Sequence, residues 1–110
     1  MNAKELRIGN YGKEITHSTN RVVGVKKHHF EDIERGEIDL FPIPLTEEWL
    51  VKFGFEKLEG WDDMFYFQIG YFQIYEYNVS GYEYDGFDIK HVHQLQNLYF
   101  ALTNEELKLK

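Results

Sequence analysis

Apolar and polar positions alternate in the first third of the chain and take helical spacing over 46–54. They alternate again through an aromatic run as far as Lys90, then return to helical spacing after His91. Each change of period predicts a change of element. Leu6-Arg7-Ile8 reads as a short strand, with Gly9-Asn10-Tyr11-Gly12 as a turn or bulge. Arg21 to Lys27 is rich in valine, and Glu37 to Phe41 alternates again through Ile38 and Leu40, with Gly36 between the two. This spacing predicts a small, strongly bent sheet, barrel-like in outline.

Pro42 and Pro44 force an extended passage. Thr46 follows as an N-cap, Glu47 and Glu48 occupy the first turn, and Leu45 and Leu50 form a hydrophobic staple. Trp49, Leu50 and Phe53 supply the apolar face of this short helix, and Gly54 stops it. Phe55 to Lys90 reads as a β-meander. Phe72, Ile74 and Glu76 point one way, while Tyr71, Gln73, Tyr75 and Tyr77 point the other. Asn78 to Gly81 and Asp85-Gly86 supply turns, the second a hairpin signal, and Tyr82, Tyr84, Phe87 and Ile89 continue the pattern.

The final helix carries Val92, Leu95, Leu98, Tyr99 and Leu102, with Asn104 suited to a left-handed stop. Leu107 and Leu109 then alternate with charge, as a short edge strand would. The fold class is α+β: a small bent antiparallel sheet or meander packed by two helices, in one domain over 1–110.

The composition narrows the chemistry. Nine Phe, eight Tyr and two Trp give an aromatic share of 17%, material for a core and for interfaces. With no cysteine, disulfides, thiolate metal sites and thiol nucleophiles are excluded. The polar start Met1-Asn2-Ala3-Lys4-Glu5 is no signal peptide, and no apolar run approaches the roughly 20 residues that span a bilayer. A soluble, cytoplasmic protein is expected. The net charge of −7 disfavours direct nucleic-acid binding, because the one dense basic stretch, Arg21 to His29, is short. An acidic surface is instead steered toward a basic groove on another protein.

Candidate chemistry is sparse. His91 and His93 form an H-x-H pair, and His28-His29 falls at an expected strand end. Neither completes a metal-ligand spacing, so no metal is assigned. The pairs Glu31-Asp32, Glu47-Glu48, Asp62-Asp63 and Glu105-Glu106 read as solvated or cap-forming carboxylates rather than as an acid and base converging on a cleft. No phosphate-loop, dinucleotide or nucleophile-elbow pattern occurs, so no enzyme and no cofactor is expected. The remaining feature is tyrosine: Tyr71, Tyr75 and Tyr77, joined by Tyr82 and Tyr84, beside Glu76, Glu83 and Asp85. Base-stacking sheets pair aromatics with Arg and Lys, whereas tyrosines among carboxylates suit a protein-binding patch. These eight residues are the expected partner-binding surface.

Three blocks occur together: LRIGNY from Leu6, IPLTEEWL from Ile43 with KFGF from Lys52, and HVHQLQNLYFALT from His91. The combination resembles small uncharacterised proteins encoded by phages, prophages and genomes of the Bacteroides–Flavobacterium group. Asn104 stands where that family tends to carry glycine. The resemblance brings no catalytic residues with it. It implies a phage-encoded binding protein in the cytoplasm of a bacterial host, acting against host defence in the manner of an anti-CRISPR protein. Its partner would be a basic, nucleic-acid-guided effector nuclease. Two alternatives stand beside it. One is a sponge for a nucleotide immune signal, with Arg21, Lys26 and Lys27 as the clustered candidates; the other is a self-associating structural or accessory phage protein.

Overall fold

A computed structural model describes residues 6–15, 20–34, 40–60, 64–77 and 81–110. The expectations for Gly36 to Asp39, Asp62-Asp63 and Asn78 to Ser80, and for the Tyr77 side chain, lie outside the described residues. The elements run β1 (Tyr11–Ile15), β2 (Asn20–Gly24), α1 (Lys27–Glu34), β3 (Leu40–Phe41), α2 (Glu47–Lys52), β4 (Glu56–Glu59), β5 (Phe65–Ile69), β6 (Phe72–Tyr77), β7 (Gly81–Tyr84), β8 (Phe87–Ile89) and α3 (Val92–Thr103). They form two antiparallel sheets, one ordered β2-β1-β3 and one a five-stranded meander, β4 to β8 in sequence order. The fold is α+β.

Hairpin chemistry sets the meander. Gly70 takes φ +58° ahead of Tyr71, and the two residues close Ile69 onto Phe72. Positive φ at the first central residue alone is the pattern of a type II′ turn. Asp85 (φ +46°) and Gly86 (φ +86°) are both left-handed, as a type I′ turn requires, and close Tyr84 onto Phe87. Phe67, Phe72, Ile74, Tyr82 and Ile89 line the inner face, which packs on α2 and α3.

Thr46 caps α2 through the Trp49 N–H, and Leu45 and Leu50 are both buried, as the staple requires. Extended residues 43–45 bind the entry to α3, Leu45 N–H donating to the Lys90 carbonyl and Val92 N–H to that of Ile43. Gln94 Oε1 accepts from Lys90 N–H and His91 N–H, closing one side of a capping box. Asn104, at φ +58°, ends the helix by donating its N–H to the Phe100 carbonyl.

Four sequence expectations need correction. Leu6-Arg7-Ile8 is not a strand: Arg7 N–H donates to Asn10 Oδ1, and this local side-chain turn competes with a ladder. Lys27, His28 and His29 begin a helix rather than end a strand. The spacing of His29, Phe30 and Ile33 turns one face toward Leu6, Val25 and Leu40, a second small core. The smaller sheet is open, with β2 and β3 at its edges, and is not a barrel. The tail after Asn104 is not a strand either: Leu107 is buried, and Lys110 N–H donates to the Lys52 carbonyl. Among the described residues no helix is long and apolar enough to cross a membrane.

Candidate binding groove

Strand register divides the eight tyrosine and carboxylate positions. Tyr75 opposes Glu83, so the even-numbered residues of β7 share a face with the even-numbered residues of β6. Tyr82 therefore lies opposite Glu76 on the inner face. It is buried, its ring edge-on to Phe67 at 5.8 Å. Tyr84 also turns inward and stacks flat on Phe72, at 5.1 Å and 6°. The single tyrosine surface expected from the sequence is thus two surfaces. The alternation of β6 was legible, but the face of each β7 residue depends on the β6–β7 register.

Glu76 is half-buried, and its Oε2 has no hydrogen-bond partner. Burial first, then the carboxylates of Glu76 and Glu47, push the Tyr82 phenol up to about 12. Lys57 stands beside this seam, donating to Glu47 Oε1 at 2.6 Å with its Nζ 4.2 Å from the Phe65 ring centre. The hydrogen bond to Glu47 raises its pKa. Glu76 and Tyr82 belong to the inner face.

On the outer face, Tyr75 meets Tyr66 edge-on at 4.8 Å, with Glu83 in the opposite register position. Gln73 Nε2 donates to Gln68 Oε1 at 2.7 Å. Tyr71, in the hairpin turn, is fully exposed. It lies between two depressions. One, with Gln73, Tyr75, Tyr84 and Asp85 on its walls, has a volume of about 270 Å³.

The other, about 430 Å³, is a groove between the β5–β6 turn and the C-terminal end of α3. Its walls include Tyr71, Phe72, Tyr84, Tyr99, Leu102 and Glu105. Leu102 was expected on the buried face of the last helix, yet it is 52% exposed here, one of several large apolar residues left open to solvent. The structure brings together Tyr71, Tyr75, Tyr84 and Asp85, and it adds Tyr99, Leu102 and Glu105, which sequence reasoning missed. Their signal would have been the C-terminal end of α3, where Leu102 continues the apolar stripe.

The basic stretch forms a separate feature. Arg21, Lys26, His28 and His29 line a depression of about 290 Å³. Glu14 lies against it, 3.7 Å from Arg21 and 3.9 Å from His29 Nε2, and offsets part of its charge. His29 Nδ1 accepts from Lys26 N–H at 2.8 Å. Burial, aided by the neighbouring His28, lowers the His29 pKa.

His91 and His93 lie at the start of α3 with rings 5.8 Å apart, and His93 is buried. Among the described residues no three His, Asp or Glu side chains are grouped to hold a metal ion. Glu48 pairs with Lys52 and Glu106 with Arg7. No family model matches the chain, and no curated protein and no solved structure does.

Proposed function

We propose that this protein acts by binding rather than by catalysis, holding a basic protein partner against the tyrosine-rimmed groove at the end of α3. The observation that carries the reading is Tyr71. A fully exposed tyrosine at the tip of a tight, glycine-set turn loses a large solvated ring surface and little conformational freedom when a partner covers it. Leu102 and Phe87, 52% and 70% exposed, extend the uncovered apolar surface of this molecule. Glu105 on the groove wall and Asp85 in the adjoining depression, with the chain's charge of −7, favour a partner of opposite sign.

Together with the resemblance to phage and prophage proteins, this chemistry supports an anti-CRISPR-like inhibitor. Its target would be a nucleic-acid-guided nuclease of the bacterial host, held at its basic nucleic-acid channel. The test is capture and inhibition of purified effector nucleases from related hosts by the wild-type chain and by Leu102→Asp. Salt-sensitive inhibition that the substitution abolishes is the expected result. Equal inhibition by both would remove the groove from the interface, and no binding to any effector would remove the nuclease as partner.

A second reading rests on the depression at Arg21, Lys26, His28 and His29, which suits a phosphate group and would serve a nucleotide sponge. Glu14 weighs against it. Nucleotide-dependent thermal stabilisation that Arg21→Ala removes would favour the sponge over the inhibitor.

A further inference from the structure

The groove at the end of α3 combines three sources of negative potential. The first is aromatic. Tyr71 and Tyr84 reach its wall over the buried Phe72 and Tyr99, and an open ring face attracts cations through its quadrupole. The second is the carboxylate of Glu105. The third is the end of α3, which carries no basic residue in its own last turn; Arg7, which lies over Phe100 there, is already paired with Glu106. Among the described residues no Lys or Arg lies on the walls of this groove or of the adjoining depression, where Asp85 adds a second carboxylate.

The rings are held by one another. Tyr84 lies flat on Phe72, and Tyr99 meets Phe72 edge-on at 5.3 Å and 85°. Tyr99 is anchored in the main core, and its carbonyl accepts from Thr103 Oγ1 at 2.7 Å. Thr103 Oγ1 in turn accepts from Glu105 N–H at 3.1 Å, which fixes the backbone that presents the carboxylate. Preorganised walls lower the cost of ordering on binding.

We propose that this groove is a receptor for an organic cation, namely the guanidinium or ammonium group of an Arg or Lys side chain on the partner protein. The assignment deepens the binding reading given above and rests on it for the source of that side chain. Tyr71 forms the exposed rim, the Phe72–Tyr84–Tyr99 cluster the fixed wall, and Glu105 with the end of α3 the counter-charge.

The test uses the whole chain and two probes of nearly equal shape, N-acetyl-arginine amide and its uncharged counterpart N-acetyl-citrulline amide. Both are titrated while the NMR signals of Tyr71, Tyr84 and Leu102 are followed. Arginine amide is expected to shift these signals and to bind about tenfold more tightly than citrulline amide. Tyr71→Leu keeps an apolar rim without the ring face, and should remove most of that preference. Glu105→Gln should weaken arginine amide about threefold while leaving citrulline amide unchanged.

Equal affinity for the two probes, or no response of these signals to arginine amide, overturns the receptor. The failures are separable. If Leu102→Asp abolishes partner inhibition while arginine amide does not bind, the groove remains an interface and the cation receptor falls. If arginine amide binds with the stated preference while inhibition ignores Leu102→Asp, the receptor stands and the functional reading falls.

Discussion

Arg7 Nε donates to Asn97 Oδ1 at 2.8 Å, joining residues 90 positions apart. The same oxygen accepts from Asn10 Nδ2 at 2.9 Å, and the Arg7 guanidinium lies over the Phe100 ring at 4.3 Å while pairing with Glu106. One helical position back, Gln96 is fully buried. Its Oε1 accepts from Tyr11 N–H and its Nε2 donates to the Gly9 carbonyl. The polar residues of the first and last of the three sequence blocks therefore meet and satisfy one another's backbone. Their chemistry is that of a clamp holding the start of the chain on α3, and their spacing follows from that duty.

Gln96→Leu tests the clamp. The substitution is close in size but strands one donor and one acceptor, so it should cost about 3 kcal/mol, at roughly 1–3 kcal/mol for each group left unpaired. In urea, the unfolding midpoint should fall with little change in slope. Gln94→Ala, which removes an acceptor at the exposed start of the same helix, should cost only about 1 kcal/mol. Equal costs at the two positions would show that the clamp contributes little.

Local rules were legible where a single residue decides the outcome. Thr46, Gly54, Asn104 and Asp85-Gly86 each behave as their side chain or positive φ demands. What was hidden depends on distant partners. Lys27 to Glu34 was hidden because its burying surface, Leu6 and Leu40, comes from other parts of the chain. Leu6 to Ile8 alternated without joining a sheet, since Asn10 captured the Arg7 amide first. The tyrosines of β7 were given the wrong face because register, not composition, assigns faces. Of the groove, Tyr71 and Tyr84 were singled out from the sequence as binding residues; Glu105 and Leu102 enter only once α3 is set against the hairpin.

Gly60 is required by a ring. A Cβ placed there would come within 1.9 Å of the Tyr66 side chain, which lies against it and meets Tyr75. Gly60→Ala should displace Tyr66 and cost about 1–3 kcal/mol, the usual range for overpacking. In a Tyr66→Ala background the same change should cost far less, giving a coupling above about 0.5 kcal/mol in a double-mutant cycle. Additive costs would show that Tyr66 does not rest on Gly60.

Tyr82 offers a spectroscopic check on the β7 register. The fold holds its phenol protonated up to about 12, through burial and then the nearby Glu76 and Glu47 carboxylates. Its folded pKa lies above the ordinary value near 10, so the native state keeps a proton that the unfolded chain loses, and stability falls as pH rises above about 10. Tyrosinate absorbance should show a late-titrating group that is absent in Tyr82→Phe. An unchanged titration in that variant would place Tyr82 in solvent and undo the inner-face assignment.

At the other end of the pH scale, His29 makes stability depend on a proton it must not take. Burial first, then His28 with its ring 4.1 Å away, lowers its pKa below 6.5, against a smaller opposite pull from Glu14 and Asp32. Between that lowered value and 6.5 the unfolded chain binds more protons than the native one. Stability therefore rises with pH through the interval, and is lost as pH falls below 6.5. Protonation would also remove the Nδ1 lone pair that accepts from Lys26 N–H at the start of α1. His29→Asn retains an acceptor oxygen for that N–H and cannot titrate. Its unfolding midpoint should decline less than the wild type's between about pH 7 and pH 5.5. Parallel declines would mean that the acid sensitivity arises elsewhere, and that the small core around Leu6, Val25 and Leu40 tolerates a charged imidazole at its edge.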